Sequence, residues 1–175
     1  MGKYVFRPYS SEFNELYLKE RAKIKKALSS KIKIEHVGST AVQGLGGKGI
    51  IDISILTTKP NLKKYMSKLN KSGFKEVPNH PGDNRRFFMQ KVLKHMGKES
   101  RIHVHLCLTR EYWNSFIAFR DYLRKNKKAI DAYAKIKKDA VKYAAGDGQK
   151  YRDYKENCIR KLMKKALKYR RRSNK

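Results

Sequence analysis

The chain has 175 residues, 39% of them hydrophobic and 34% charged, and its 44 Lys and Arg oppose 15 Asp and Glu for a formal net charge of +29. That length suits one domain with a substantial buried core, while no apolar run approaches the roughly 20 residues needed to cross a bilayer. Cys107 and Cys158 make neither a metal motif nor a disulfide framework, Met1–Pro8 holds no signal-peptide core and Phe6 stands where myristoylation favours Ser or Thr, so a cytoplasmic chain with no membrane partner is expected.

Ser10-Ser11-Glu12 predicts a helix start, with hydroxyl caps before an acid in the first turn. Phe13, Leu16, Tyr17, Ile24, Ala27 and Leu28 recur at helical spacing, and Ser29-Ser30 closes the run. Ile32 to Val37 predicts a strand, Thr40 to Leu45 a short helix or turn, and Ile50 to Leu56 a second strand. A helix carrying Leu62, Tyr65, Met66 and Leu69 ends at the cap signal Lys71-Ser72-Gly73. Phe74 to Val77 is short and extended, and 78–84 is a loop. Arg86 to Leu93 and Arg101 to Leu108 predict an antiparallel pair joined at His95-Met96-Gly97-Lys98. From the Thr109 cap the pattern is helical, broken at Ala145-Gly146-Asp147-Gly148, with a frayed basic tail over about 170–175. The expected architecture is α+β: a mixed β-sheet packed by helices, with a helical C-terminal third and no linker to split 1–175.

The chemistry concentrates between the first two predicted strands. Gly38-Ser39-Thr40 offers backbone N–H groups and hydroxyls to an anion, although helix capping needs the same residue types. Asp52 is an acid in an apolar strand, costly unless paired, hydrogen-bonded or bound to a cation. An anion cradle beside a metal-capable acid suits a nucleotide and its Mg²⁺. Glu35 and His36 face opposite sides of their strand, so only one reaches the site; Glu35 is either a second metal ligand or a structural ion pair. His103 and His105 share a strand face and with Asp52 or Glu35 would suit Zn²⁺ or Mn²⁺, or else are hydrogen-bonded structure. Lys48, Arg85 and Arg86 are candidates for phosphate, the two arginines diverging as strand neighbours. Arg120 and Arg124 share a helical face and form a basic wall or are simply solvated. Residues 120–175 hold 21 basic and 6 acidic side chains, a surface that attracts polyphosphates and, nonspecifically, nucleic acid; a compositional drift toward Lys would give the same charge.

The phrase Glu35-His36-Val37-Gly38-Ser39-Thr40-Ala41-Val42-Gln43-Gly44-Leu45 through Lys48-Gly49-Ile50-Ile51-Asp52-Ile53 resembles the core phrase of the GrpB family, a branch of the DNA-polymerase-beta-type nucleotidyltransferases. Arg85-Arg86-Phe87-Phe88, His103-Val104-His105-Leu106 and Phe119-Arg120-Asp121-Tyr122-Leu123-Arg124 are similar to further signatures of that family. The resemblance implies the nucleotidyltransferase fold and a nucleotide or another phosphorylated small molecule bound at Gly38, Ser39, Thr40, Lys48, Arg85 and Arg86. It implies Asp52, Ser39 and Glu35 as catalytic residues, with a divalent metal, Mg²⁺ first and Mn²⁺ or Zn²⁺ as alternatives, on Asp52, Glu35, His103 and His105. Ser54 stands where the superfamily has its second metal-binding acid, and Gln43 and Gly49 replace prolines, which predicts a more flexible loop. Three alternatives stay open: a non-catalytic nucleotide-binding module, a metal-dependent hydrolase or lyase built on His103 and His105, and an RNA-associated basic protein.

Overall fold

The computed structural model describes residues 6–77 and 85–173; the expected 78–84 loop and residues 174–175 lie outside the described residues. Helix α1 (Glu12–Leu28) leads into strand β1 (Lys33–Val37), a 3-10 turn (Ser39–Ala41) and strand β2 (Ile51–Leu56). Helix α2 (Lys59–Lys71) and the short strand β3 (Lys75–Glu76) follow, then β4 (Arg86–His95) and β5 (Lys98–Cys107). Helices α3 (Arg110–Arg124), α4 (Lys127–Ala144) and α5 (Gly148–Ser173) complete the described chain. The result is the nucleotidyltransferase-like α+β fold expected from the resemblance, a mixed five-stranded sheet packed by helices with a helical C-terminal third.

The sheet order is β1-β2-β5-β4-β3. β2 and β5 run parallel, and the other neighbours pair antiparallel. Because side chains alternate along a strand, this register sorts the residues into two faces. One carries Ile34, Ile51, Ile53, Ile55, Ile102, Val104 and Leu106, all buried in one core with Leu16, Ile24 and Leu28 of α1 and Leu69 of α2. The opposite face carries Glu35, Asp52, His103 and His105 in neighbouring register positions, since Glu35 pairs with Ser54, Asp52 with His103 and Ser54 with His105. α3 crosses this second face, where Phe116 lies 5.0 Å from the His105 ring.

The β4–β5 strands run further than the apolar pattern indicates, to the pair His95 and Lys98. Met96 and Gly97 both take positive φ, 48° and 73°, the two-residue hairpin geometry whose twist matches that of the strands. The C-terminal third contains a break that periodicity does not show. α3 ends at Arg124, and Asn126 restarts the chain as α4 by accepting a hydrogen bond from the Ala129 amide at 3.0 Å. The three helices then bury Val42, Leu45, Leu123, Ala129, Tyr133 and Leu162 in a second core beneath the 39–45 turn. Arg170, Arg171 and Arg172, expected in a frayed tail, are helical residues of α5. Among the described residues no helix is long and apolar enough to cross a membrane.

Candidate functional site

β1 ends at Val37, and Gly38 turns the chain with φ 72°. A Cβ at Gly38 would collide with Asp52 Oδ2 and lie 3.0 Å from the Asp52 Cβ and Cγ, so the glycine is what lets the Ser39 turn close onto the β2 carboxylate. Asp52 is one-quarter exposed, and its Oδ1 meets both His103 Nδ1 and His105 Nε2 at 3.4 Å. Burial opposes its charge, yet the hydrogen bonds from the His103 and His105 rings prevail and hold its carboxyl well below the usual carboxylate range.

On its other nitrogen, Nδ1, His105 faces Arg86 Nη1 at 3.4 Å. A guanidinium only donates, so Nδ1 accepts, the ring proton sits on Nε2 and is given to Asp52. Burial lowers the His105 pKa against the pull of Asp52, consistent with a neutral ring held in that tautomer. His103 engages Asp52 through Nδ1, which leaves its Nε2 as the lone pair of an Asp–His dyad, the arrangement of a general base.

Lysines complete the site from the other side. Lys137 of α4 is 3% exposed and donates from Nζ to the Gly46 carbonyl at 2.7 Å. A Cβ at Gly47 would overlap Lys137 Nζ and come within 2.9 Å of Ser39 Oγ; with hydrogen there instead, ammonium and hydroxyl share one side of the loop. Lys48 and Lys155 hold their Nζ atoms 4.0 and 4.2 Å from the centroid of the buried Tyr151 ring. Burial, with repulsion from Lys155 and Arg152, pushes Lys48 down to about 7. Burial likewise takes Lys137 to about 7 and Lys155 to about 8, and Asp52 opposes the shift in all three. All three lysines are thus desolvated, and each feels the charge of the Asp52 carboxylate.

Several expected residues have other work. Thr40 is 2% exposed and donates to the Ile50 carbonyl at 2.9 Å, so it is not a phosphate contact but the fastening between the turn and β2. Its oxygen also meets His36 Nε2 at 3.1 Å, and since the hydroxyl proton is spent, His36 is the donor. Burial takes His36 down to about 4, and its ring stacks on Tyr17 at 4.4 Å on the α1 side of the sheet. Glu35 accepts from Arg120 Nη1 at 2.6 Å, the ion pair expected as the alternative to a second metal ligand. Arg120 also donates to the His36 carbonyl at 3.0 Å, and Arg124 donates twice to the Ala41 carbonyl, at 2.9 and 2.8 Å. These arginines are tethers of the turn, neither basic wall nor solvated surface. Arg85 and Arg86 do not diverge: both guanidiniums approach the Tyr112 ring, at 5.4 and 5.7 Å. Arg85 precedes β4, so strand alternation does not govern it.

The loop expected to be flexible is pinned. Arg7 and Gly47 exchange backbone hydrogen bonds at 2.6 and 2.9 Å, and Gly46 takes the Lys137 bond. Lys137, Lys155 and Tyr151 are the site residues that motif reading missed. The available signal was periodicity: Lys137 lies between Tyr133 and Ala140 on the buried stripe of α4, where a lysine needs a reason.

The metal expectation also meets the geometry. Among the described residues, no group of three or more His, Cys, Asp and Glu is arranged to hold a metal ion. Ser54 is fully buried with its Oγ 3.3 Å from Cys107 Sγ, Glu35 is paired with Arg120, and Asp52 Oδ1 meets two imidazoles. A lone carboxylate such as Asp52 suits Mg²⁺ only together with waters and substrate phosphates, and of the histidine nitrogens expected for Mn²⁺ or Zn²⁺, His103 Nδ1 and His105 Nε2 meet Asp52 while His105 Nδ1 meets Arg86.

Comparison with known proteins agrees with this architecture. A family model described as GrpB protein matches residues 4–165. A UPF0157 protein of Halalkalibacterium halodurans is 31% identical over 160 residues, spanning 90% of this chain and 80% of that protein. The crystal structure of conserved protein GrpB from Enterococcus faecalis superposes with a TM-score of 0.80 at 26% identity, covering 94% of this chain and 98% of that one. A chain of the GLD-2/RNP-8 complex shares the fold, with a TM-score of 0.54 at 14% identity over 76% of this chain and 55% of its own.

Proposed function

We propose that this chain, which belongs to the GrpB family, binds the phosphates of a nucleotide or another phosphorylated small molecule at Ser39, Lys48, Lys137 and Lys155. One observation carries the reading: the buried Lys137 holds its Nζ on the same side of the Gly47 backbone as the Ser39 hydroxyl, so an ammonium and a hydroxyl flank the turn. Lys137 spends one N–H on the Gly46 carbonyl, and a phosphate offers strong charge-assisted acceptors to its remaining donors. Calorimetric titration of the chain with ATP, GTP and coenzyme A tests it. At least one should bind, and Ser39→Ala should weaken that binding about tenfold without lowering the melting temperature. Equal affinity of Ser39→Ala and the parent chain would remove the turn from the site.

A second reading, nucleotidyl transfer, is favoured by the Asp52–His103 dyad. The oxygen of an acceptor hydroxyl would attack the α-phosphorus, its proton would pass to His103 Nε2, and pyrophosphate would leave carrying the α–β bridging oxygen. Asp52 would position His103 and stabilise the imidazolium. The assay is pyrophosphate release from nucleoside triphosphates with hydroxyl acceptors. Release that disappears in His103→Ala supports transfer; a chain that binds nucleotide and releases none is a binding module.

A further inference from the structure

A cavity of about 580 Å³ opens between the start of α1, the turn after β1 and the end of α3, with Tyr9, Glu15, His36, Thr40, Gln43 and Arg124 in its walls. Its lining includes none of Ser39, Asp52, His103, His105 or the three lysines described above. The volume falls within the range of small-molecule sites.

The walls carry opposite charges that do not neutralise each other. Glu15 is exposed in the first turn of α1 and forms no ion pair with any described residue, although the chain holds 44 Lys and Arg. Arg124 ends α3 and spends Nε and Nη2 on the Ala41 carbonyl. Its Nη1 has no partner among the described residues, so the Nη1–Nη2 edge is left for a planar anion. The floor adds a third requirement. His36 is 5% exposed and gives its Nε2 proton to Thr40, and burial keeps the ring neutral. Its Nδ1 is therefore an acceptor, with no partner among the described residues. Glu15 and His36 both call for a donor, and Arg124 calls for an acceptor. A simple anion leaves Glu15 unmatched and a simple amine leaves Arg124 unmatched. A molecule with both signs satisfies the walls, and its cation must carry N–H groups to satisfy His36.

We propose that this cavity binds a free amino acid, with its ammonium taken by Glu15 and the His36 ring and its carboxylate by the open edge of Arg124. The volume left beyond those two heads, bordered by Tyr9 and Gln43, takes the side chain.

Calorimetric titration of the full chain with each of the protein amino acids tests this. At least one should bind, and its N-acetyl and carboxamide forms should each bind at least about tenfold more weakly, since each lacks one of the two charges. Glycine betaine, zwitterionic but without N–H, should not bind. Glu15→Gln, an exposed change of equal shape, should weaken the free amino acid about tenfold and leave the N-acetyl form unaffected. Arg124→Lys, which keeps a charge but loses the planar fork, should weaken the free amino acid and spare the carboxamide. If that variant melts below the parent chain, the Glu15→Gln comparison decides alone. Absence of binding by every amino acid, equal affinity for the N-acetyl form, or equal affinity in Glu15→Gln and the parent overturns the proposal. So does succinate binding as tightly as the best amino acid, which would assign the cavity to anions through Arg124. None of these outcomes bears on the phosphate reading, whose residues do not line this cavity.

Discussion

Lys137 carries a charge into a place where water cannot follow. Its pKa, pushed by burial to about 7, and those of Lys48 and Lys155, at about 7 and 8, link stability to pH with a definite sign. Below about 7 the lysines are protonated in both folded and unfolded chains, and the folded state bears the cost of desolvated charge. Between these values and the unfolded pKa of about 10.4 the unfolded chain holds more protons, so stability rises with pH. Urea midpoints should therefore increase from pH 7 to about 9.5 in the absence of ligand, and Lys137→Met should show a smaller rise; a flat or falling profile would contradict the assignment. Arg120 belongs to the same scale. It is 9% exposed and joins the Glu35 carboxylate to the His36 carbonyl, so Arg120→Ala should cost about 2 kcal/mol in a denaturation experiment. Single residues are where motif reading falls short. Asp52 stood out because one acid interrupts an apolar strand, but the same run of letters is silent on what Arg120 and Arg124 touch. Their partners, Glu35 and the Ala41 carbonyl, lie 85 and 83 positions away.

At the level of elements the sequence was most legible where one period dominated. β1 and β2 begin one residue later than their apolar runs indicate, because the first residue of each run packs without pairing. The β4–β5 ladder was under-read, since its distal end past Leu93 is half solvent-facing and carries polar residues on both strands. The α3–α4 boundary was missed for a physical reason: Leu123, Ala129 and Tyr133 all pack into one core, so the apolar surface is continuous across a break in the backbone. What marks the break is Asn126, whose side chain satisfies the Ala129 amide. Asn126→Ala should lower stability by about 1 kcal/mol, and Asn126→Asp should restore most of it, as read from thermal melts. If Asn126→Ala melts like the parent chain, the cap contributes nothing and the helices turn through packing alone.

Over the whole molecule, charge is the dominant property, and its distribution favours the C-terminal helices. The exposed faces of α5 carry Lys161, Lys164 and Lys168, in contrast to the buried Lys137 of α4. If this surface also attracts nucleic acid, the affinity for a single-stranded oligonucleotide should fall linearly in log K against log salt. Charge reversal at all three positions should flatten the slope by roughly two to three. An affinity absent even at low salt would assign those lysines to composition alone.

The site itself has a consequence in time as well as space. Its turn, its acid and Lys48 come from residues 38–52, but Lys137, Lys155 and the Tyr151 ring that supports both Lys48 and Lys155 come from the last two helices. Synthesis proceeds from the N-terminus, so a nascent chain displays the finished strand face well before the residues that charge it. On the proposed reading, a ligand would meet only Ser39 and Lys48 at that stage, before Lys137 and Lys155 have left the ribosome. The complete cluster thus marks a chain whose last two helices have been made and docked.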